Sequence, residues 1–251
     1  MKISIIYFSG TGNTKAVAEG YKVALTNKGY VVNLKSIEDS HSLDDHDLLL
    51  IGGPIYAGNM PDELINWVRK NIKPVKEKKA IVFSTSAGLL NANGVKSIGK
   101  KLIKKGYELV DMATFEMPRN FYVDKYDPTP EEVQKQQFEN AARRILDSLN
   151  LIDNMNPVIV DESVMMIDLF SDMFRVMAKF MGKSFQINEN CIACGLCEKN
   201  CPKSNINSND KKYSNRCIMC TRCIHNCPVN AISYKGKHIE PYRVHYEISI
   251  K

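Results

Sequence analysis

All eight cysteines of the 251-residue chain lie between positions 191 and 227. They form two copies of the pattern C-x2-C-x2-C-x3-C-P, and the second copy repeats the first 26 positions later. Thiolates spaced this closely in a short loop can converge on one metal centre, and the proline after the fourth cysteine turns the chain away. The first copy contains Cys191, Cys194, Cys197 and Cys201, and the second contains Cys217, Cys220, Cys223 and Cys227.

Zinc sites and disulfides are the alternatives for such a cluster of cysteines. Structural zinc sites usually place two C-x2-C pairs across a longer loop, whereas here four cysteines fall within 11 residues. Disulfides would require an exported chain. The apolar run at positions 1–8 is too short for a signal peptide, and no window of about 18 apolar residues predicts a membrane span. We therefore expect a cytoplasmic protein whose reduced thiols bind iron.

The two motifs resemble those of two-cluster bacterial ferredoxins, and the similarity extends into residues 185–188 and 229–232. The resemblance implies two [4Fe–4S] clusters, with the fourth cysteine of each copy binding the cluster of the other copy. It assigns one cluster to Cys191, Cys194, Cys197 and Cys227, and the second to Cys217, Cys220, Cys223 and Cys201.

The N-terminal segment has the pattern of a phosphate-binding site. An apolar run over 2–8 leads into a Gly/Thr-rich loop and then into a helical pattern that ends near Gly29. Backbone N–H groups and hydroxyls of such a loop face an anion at the positive end of the helix. The spacing is neither that of a P-loop nor G-x-G-x-x-G. The loop instead resembles the one with which flavodoxins bind the phosphate of FMN; it consists of Ser9, Gly10, Thr11, Gly12, Asn13 and Thr14.

Strand and helix patterns then alternate as far as position 149. Helices are predicted from Pro61 onward, near 94–105 and over 131–149, and further strands at 31–34, 48–53, 79–84 and 108–115. With the first strand, they predict an α/β fold built on a flavodoxin-like, doubly wound, five-stranded parallel sheet. Ligands bind such sheets at the carboxyl ends of the strands. We therefore expect the loops after strands one, three and four to form a single site.

Two further loops are predicted to complete the flavin site. The loop after strand three resembles the second flavin loop of flavodoxins and contains Pro54, Ile55, Tyr56, Ala57 and Gly58, with Tyr56 a candidate for ring contact. The loop after strand four contains Thr85, Ser86, Ala87 and Gly88. Many flavodoxins stack a tyrosine from this third loop on the flavin, and this sequence has no aromatic residue there. The outer face of the flavin is then open, or covered by Phe121 and Tyr122, or covered by the ferredoxin domain.

These patterns divide the chain into a flavodoxin-like FMN-binding domain at 1–150, a helical linker at 151–184 and a small α+β ferredoxin domain with a C-terminal tail at 185–251. A linker helix over 161–181 is expected to pack the two domains together with its broad apolar face; the alternative is a methionine-rich surface that binds a partner or a membrane. Residues 234–238 predict a closing hairpin, and the alternating apolar residues of the tail predict an added strand. His225, inside the second cysteine motif, either tunes that cluster or is exposed at the surface, and we expect exposure.

The combination resembles the flavodoxin–ferredoxin fusion proteins of anaerobic bacteria. It implies an electron-transfer protein that links two [4Fe–4S] clusters, FMN and an external redox partner. The alternative is an FMN-dependent reductase or oxidase of a quinone, nitro compound or porphyrinogen, although no acid–base pair or NAD(P)H motif is evident. The scattered lysines behind the net charge of +6 do not indicate nucleic-acid binding. The sequence leaves the partner, the direction of electron flow and the oligomeric state open.

Overall fold

A five-stranded parallel sheet in the order β2-β1-β3-β4-β5 forms the centre of the N-terminal part. The computed structural model describes residues 1–39, 42–88, 91–121, 127–161, 165–244 and 246–250. The order confirms the predicted doubly wound sheet. Its strands are β1 (Lys2–Tyr7), β2 (Val31–Ser36), β3 (Leu48–Pro54), β4 (Lys78–Ser86) and β5 (Tyr107–Glu116).

Helices cover both faces of this sheet. The apolar residues of β3 from Leu48 to Ile51 are completely buried, because each face of a central parallel strand packs against a helix layer. One core lies between the sheet and the first and fourth helices, and the other lies between the sheet and the second and third. These helices are α1 (Asn13–Asn27), α2 (Asp62–Asn71), α3 (Asn91–Ile103) and α4 (Glu131–Asn154).

The cysteine-rich part forms two small antiparallel sheets with short helices. Strand β9 pairs with both β6 and β10, and Tyr234 lies opposite Lys237, which confirms the predicted hairpin. The rings of Phe185 and Tyr234 lie 5.0 Å apart, tilted by 59°, within a small core that also includes Ile232. The elements are β6 (Phe185–Ile187), α6 (Leu196–Lys199), β7 (Ile206–Asn207), β8 (Lys212–Tyr213), α7 (Arg222–His225), β9 (Ile232–Tyr234) and β10 (Lys237–His238).

The linker helix α5 (Met165–Met181) starts later than predicted, and residues 162–164 of the expected helix lie outside the described ranges. Its buried strip consists of small residues, since Ser171 and Ala178 are each 1% exposed. The prediction that the broad apolar face packs the domains together is correct only in part. Phe174 and Met181 pack against the core of the cysteine-rich part. Other apolar side chains of the helix are exposed: Met166, Leu169, Phe170, Met173, Val176, Met177 and Phe180. No helix in the described ranges is long and apolar enough to cross a membrane.

The C-terminal tail packs on α1 and α4 and forms no strand within 239–244 or 246–250, so the prediction of an added strand is wrong. Tyr246 donates a hydrogen bond to Glu131 over 3.0 Å, and its ring lies 5.7 Å from that of Phe138. Ile248 is buried against Gly20. The alternating apolar residues therefore serve contacts with helices and not a ladder of backbone hydrogen bonds.

Candidate cofactor site

The loop between β1 and α1 is folded around the hydroxyl of Ser9. Its Oγ accepts hydrogen bonds from the backbone N–H groups of Gly12 and Lys15, over 3.1 and 3.3 Å. Gly12 caps α1, so the loop lies at the positive end of a 15-residue helix. The Thr14 and Thr85 hydroxyls share a 2.7 Å hydrogen bond, which links this loop to the end of β4. The arrangement suits an anion at the helix N-terminus.

The loop after β3 makes a tight turn. Tyr56 and Asn59 exchange backbone hydrogen bonds, with the Tyr56 N–H donating over 2.8 Å. Ala57 and Gly58 between them have φ values of 51° and 90°. Positive φ at both central positions is the geometry of a type I′ turn, which glycine adopts without strain. The turn directs the Tyr56 ring towards the phosphate loop, as its contact with Gly10 shows.

The three predicted loops meet at one cavity of about 320 Å³. Of the predicted site residues, Gly12 and Gly88 do not line it. The lining residues from the predicted loops are Ser9, Gly10, Thr11, Asn13, Thr14, Pro54, Ile55, Tyr56, Ala57, Gly58, Thr85, Ser86 and Ala87.

Other lining residues come from parts of the chain that the loop patterns do not include. Phe121 lines the cavity, as one of the sequence alternatives proposed, whereas Tyr122 lies outside the described residues. Phe170 and Phe174 of α5 also line it, although their helical spacing predicted only a packing face. The segment 118–120 and the residues 219–221 of the second cysteine motif complete the wall.

Cys220, in the second cysteine motif, also lines this cavity. An added Cβ on Gly10 would lie 3.1 Å from the Cys220 carbonyl oxygen and 2.6 Å from the Tyr56 hydroxyl, so only glycine permits this close approach. Burial raises the pKa of the Cys220 thiol to about 12, and the nearby Arg222 opposes that shift. Burial first, and then the Cys220 thiolate, also raises the pKa of Tyr56 well above its usual value. Coordination to a metal deprotonates such a thiol.

Arg222, between Cys220 and Cys223, connects the second cysteine motif to the phosphate loop. Its guanidinium donates to the carbonyl oxygens of Ser9 (2.6 Å) and Gly10 (3.0 Å). It forms a bidentate ion pair with Glu38 at 2.7 and 2.8 Å. The Arg222 side chain is 11% exposed. Nothing in the sequence pattern indicated this role, because Glu38 and Arg222 are 184 positions apart.

His225 is buried, with 3% exposure, so the prediction that it is exposed is wrong. Its Nδ1 accepts a hydrogen bond from the Tyr242 N–H over 2.9 Å, and its Nε2 lies 2.8 Å from the Asn120 carbonyl oxygen. This pattern assigns the proton to Nε2, and burial lowers the pKa of His225 to about 4. Tyr242 in turn donates from its hydroxyl to Asn13 over 2.6 Å. The cysteine-rich part therefore supports the cavity wall at two points.

The eight cysteine thiols form no disulfide, and electrostatic effects between some of them cross from one motif to the other. Burial is the main cause that raises the pKa of Cys197, followed by the thiolates of Cys191 and Cys227. Burial also raises the pKa of Cys217 to about 11, with a further contribution from Cys201. The Cys201 and Cys217 thiolates likewise act on Cys220 and Cys223. The fourth cysteine of each motif is thus a neighbour of the other motif.

Backbone N–H groups point at several of the sulfur atoms. The N–H of Met219 donates to Cys217 over 3.3 Å, and that of Ala231 donates to Cys227 over 3.2 Å. Such bonds tune iron–sulfur clusters. Among the described residues, no three His, Cys, Asp or Glu side chains converge tightly enough for a single metal ion. A four-iron cluster requires a wider arrangement, because each thiolate binds a different iron.

The fold and its loops define the class of the N-terminal part. A parallel sheet of order 2-1-3-4-5 with a ligand site at the carboxyl ends of its strands is the flavodoxin-like fold. A family model described as "Flavodoxin domain" matches residues 4–120, and one described as "4Fe-4S binding domain" matches residues 211–233, which include the second cysteine motif. The chain therefore joins a flavodoxin domain to a 4Fe-4S domain, which confirms the predicted fusion. The two domains imply FMN and a [4Fe–4S] cluster and indicate flavin-linked iron–sulfur electron transfer with redox partners.

Solved structures of flavodoxins resemble the N-terminal part. Oxidised flavodoxin 1 from Bacillus cereus is 20% identical, over 61% of this chain and 98% of its own, with a TM-score of 0.45. Two-electron reduced flavodoxin from Megasphaera elsdenii is 24% identical, over 45% of this chain and 85% of its own, with a TM-score of 0.40. A flavone reductase is 13% identical, over 61% of this chain and 62% of its own, with a TM-score of 0.45. No curated protein matches the chain significantly.

Proposed function

We propose that the chain is an electron carrier in which two [4Fe–4S] clusters exchange electrons with FMN inside one molecule. A single observation carries the proposal: Cys220, in the second cysteine motif, lines the same cavity as the phosphate loop. A cluster bound to Cys220 would be next to a flavin in that cavity. An external redox protein or a small molecule is then the second partner in the exchange.

The residues around the cavity suit FMN. The loop at the N-terminus of α1 offers N–H groups and the Thr11 hydroxyl to the phosphate, while the aromatic side chains of Phe121, Phe170 and Phe174 offer apolar surface to the ring. When bound, FMN supplies one- or two-electron chemistry and a [4Fe–4S] cluster supplies one-electron chemistry. The protein's part is to hold these groups close together and to exclude water between them.

The grouping of the thiols supports two clusters with crossed ligation. We assign the first cluster to Cys191, Cys194, Cys197 and Cys227, and the second to Cys217, Cys220, Cys223 and Cys201. The assignment is consistent with the effect of Cys227 on Cys197 and with that of Cys201 on Cys217. We divide the chain accordingly into the flavin domain at 1–150, the linker at 151–184 and the two-cluster domain at 185–251.

The composition of the cavity wall favours a carrier over a reductase with its own acid–base chemistry. Among the described lining residues, the titratable ones are Tyr56, Arg119 and Cys220. Tyr56 holds its proton firmly because burial raises its pKa, and Cys220 is assigned to a cluster. No pair of groups among them can exchange a proton with a substrate near neutral pH.

Cofactor content tests the proposal. Protein purified without oxygen should contain about eight iron, eight sulfide and one FMN per chain, because two four-iron clusters and one flavin are assigned. The Cys227→Ser variant should lose the cluster of the first motif, although Cys227 belongs to the second. Iron analysis measures the cluster content, and the electron paramagnetic resonance spectrum of the reduced protein shows which cluster is lost.

Two outcomes would contradict this account. Zinc in place of iron would remove the cluster assignment altogether. Loss of only the second-motif cluster in Cys227→Ser would show that each motif binds its own cluster. The matched control is Cys201→Ser, in which the second-motif cluster should be the one that is lost.

A further inference from the structure

Arg222 contacts the phosphate loop but does not line the cavity. The loop presents the carbonyl oxygens of Ser9 and Gly10 to the guanidinium, and the ion pair with Glu38 fixes the guanidinium from the other side. A further bond to the Asn200 carbonyl oxygen, over 2.9 Å, holds it to the first cysteine motif. Bidentate and charge-assisted bonds of this kind fix geometry more firmly than bonds between neutral groups.

The direction of these carbonyl groups determines the direction of the neighbouring N–H groups. In a trans peptide, the C=O of one residue and the N–H of the next point in opposite directions. The described peptide bonds are trans. Because Arg222 holds the Ser9 and Gly10 carbonyls, the N–H groups of Gly10 and Thr11 point away from it. Within the described residues, neither of these N–H groups has a hydrogen-bond partner.

The positive charge of Arg222 also favours an anion at the phosphate loop. The Ser9 and Gly10 carbonyls are the negative ends of their peptide dipoles, and the positive guanidinium offsets them. Two N–H groups and a helix N-terminus then face the anion site without competing carbonyls. A phosphate would meet this arrangement only when the second cysteine motif, which carries Arg222, is docked on the loop.

We propose that Arg222 is a positioning residue for the flavin phosphate, because it sets the N–H groups of Gly10 and Thr11 towards the anion from within the second cysteine motif. The inference rests on the proposed function in that it takes FMN as the ligand of the cavity. It makes the ferredoxin domain part of the FMN site and not merely a neighbour. Flavin affinity would then depend on a residue that touches neither the flavin ring nor the phosphate.

The test compares FMN with riboflavin, which has the same ring and no phosphate. Equilibrium binding to the full, cluster-loaded chain is measured by quenching of flavin fluorescence for the wild type and Arg222→Gln. The substitution should weaken FMN binding roughly tenfold, as expected for the loss of a charge-assisted hydrogen bond. Riboflavin binding should stay within about twofold, since the ring contacts remain.

Arg216→Gln is the matched control. Arg216 lies immediately before the same motif and carries the same charge, but it donates to the carbonyl oxygen of Ser204 over 2.6 Å and not to the phosphate loop. Its substitution should leave the affinity for both flavins unchanged. Arg222→Lys keeps the charge and loses the fork of donors, so it should restore only part of the FMN affinity.

Unchanged FMN affinity in Arg222→Gln, or an equal loss for FMN and riboflavin, would overturn the inference. If Arg222→Gln does not assemble its clusters, Glu38→Gln is tested in its place. It should lose less affinity for FMN than expected for Arg222→Gln, and none for riboflavin. Unchanged FMN affinity in Glu38→Gln, or an equal loss of affinity for both flavins, would also overturn the inference. A wild-type chain that binds no FMN would refute the proposed function itself. FMN binding that is equally tight in both proteins would refute only the role of Arg222.

Discussion

At the scale of single residues, Gly10 is where the phosphate loop, the Tyr56 turn and the second cysteine motif come closest together. The space that a side chain would need is taken by the Tyr56 hydroxyl and by the backbone and Cβ of Cys220. The sequence predicted Gly10 as part of the phosphate-binding loop, but not its contacts with Tyr56 and Cys220. Its close packing depends on a segment more than two hundred positions away, which no local pattern could reveal.

We predict that Gly10→Ala weakens FMN binding by at least about tenfold, the scale of one lost hydrogen bond to a charged group. The added methyl group would lie 2.6 Å from the Tyr56 hydroxyl, so the loop or the turn must move. Titration of the cluster-loaded protein with FMN measures the effect.

The double variant Gly10→Ala/Tyr56→Phe is the control, because it removes the atom nearest to the new methyl group. It should recover part of the affinity, and Tyr56→Phe alone should change it little. Wild-type affinity in Gly10→Ala would show that the loop is not held against Tyr56 and Cys220.

At the scale of elements, the sequence predicted the five strands and the phosphate loop because both are local patterns. Apolar runs such as the one in β3 reflect burial on both faces, and a Gly/Thr-rich turn between strand and helix is typical of an anion-binding loop. The apolar side chains of α5 and of the tail were also evident in the sequence, but the sequence did not indicate which elements they contact. Helical periodicity shows an apolar face and does not show whether another element covers it.

His46, just before β3, gives a prediction for the pH dependence of stability. It is buried, and its Nε2 lies 3.0 Å from the hydroxyl of Tyr107 at the start of β5. Burial is the main cause that lowers the pKa of His46 below its ordinary value of 6.5. The unfolded chain therefore binds a proton at a higher pH than the folded chain does. The free energy of unfolding should fall as pH decreases below about 6.5, until the folded-state pKa is reached.

His46→Gln provides the comparison, because glutamine does not titrate. Denaturant unfolding of both proteins between pH 5 and pH 8, followed by far-ultraviolet circular dichroism, isolates the His46 contribution as their difference. That difference should be constant above about pH 7 and should change in the acidic range. Parallel curves over the whole range would show that His46 is as easily protonated in the folded protein as in the unfolded chain.

At the scale of the whole molecule, the cysteine-rich part forms one side of the cavity at the phosphate loop. Arg222 bonds to the phosphate loop, His225 bonds to the 118–121 segment, and Tyr242 bonds to Asn13. The sequence predicted each cofactor from its own motif and gave cover of the flavin by the ferredoxin domain as one of three alternatives, but it did not indicate which residues form the shared wall. Such contacts depend on how the domains pack together, and the residues that form them have no characteristic spacing in the sequence. A flavin bound in this cavity would then lie next to Cys220.

The central claim is that electrons pass between the clusters and FMN within one chain. The direct measurement is rapid reduction of the clusters in the fully loaded protein, followed by flavin absorbance at several protein concentrations. The rate of flavin reduction should be the same at every concentration, because donor and acceptor are held in one molecule. A rate that rises in proportion to concentration would show transfer between molecules and would contradict the account.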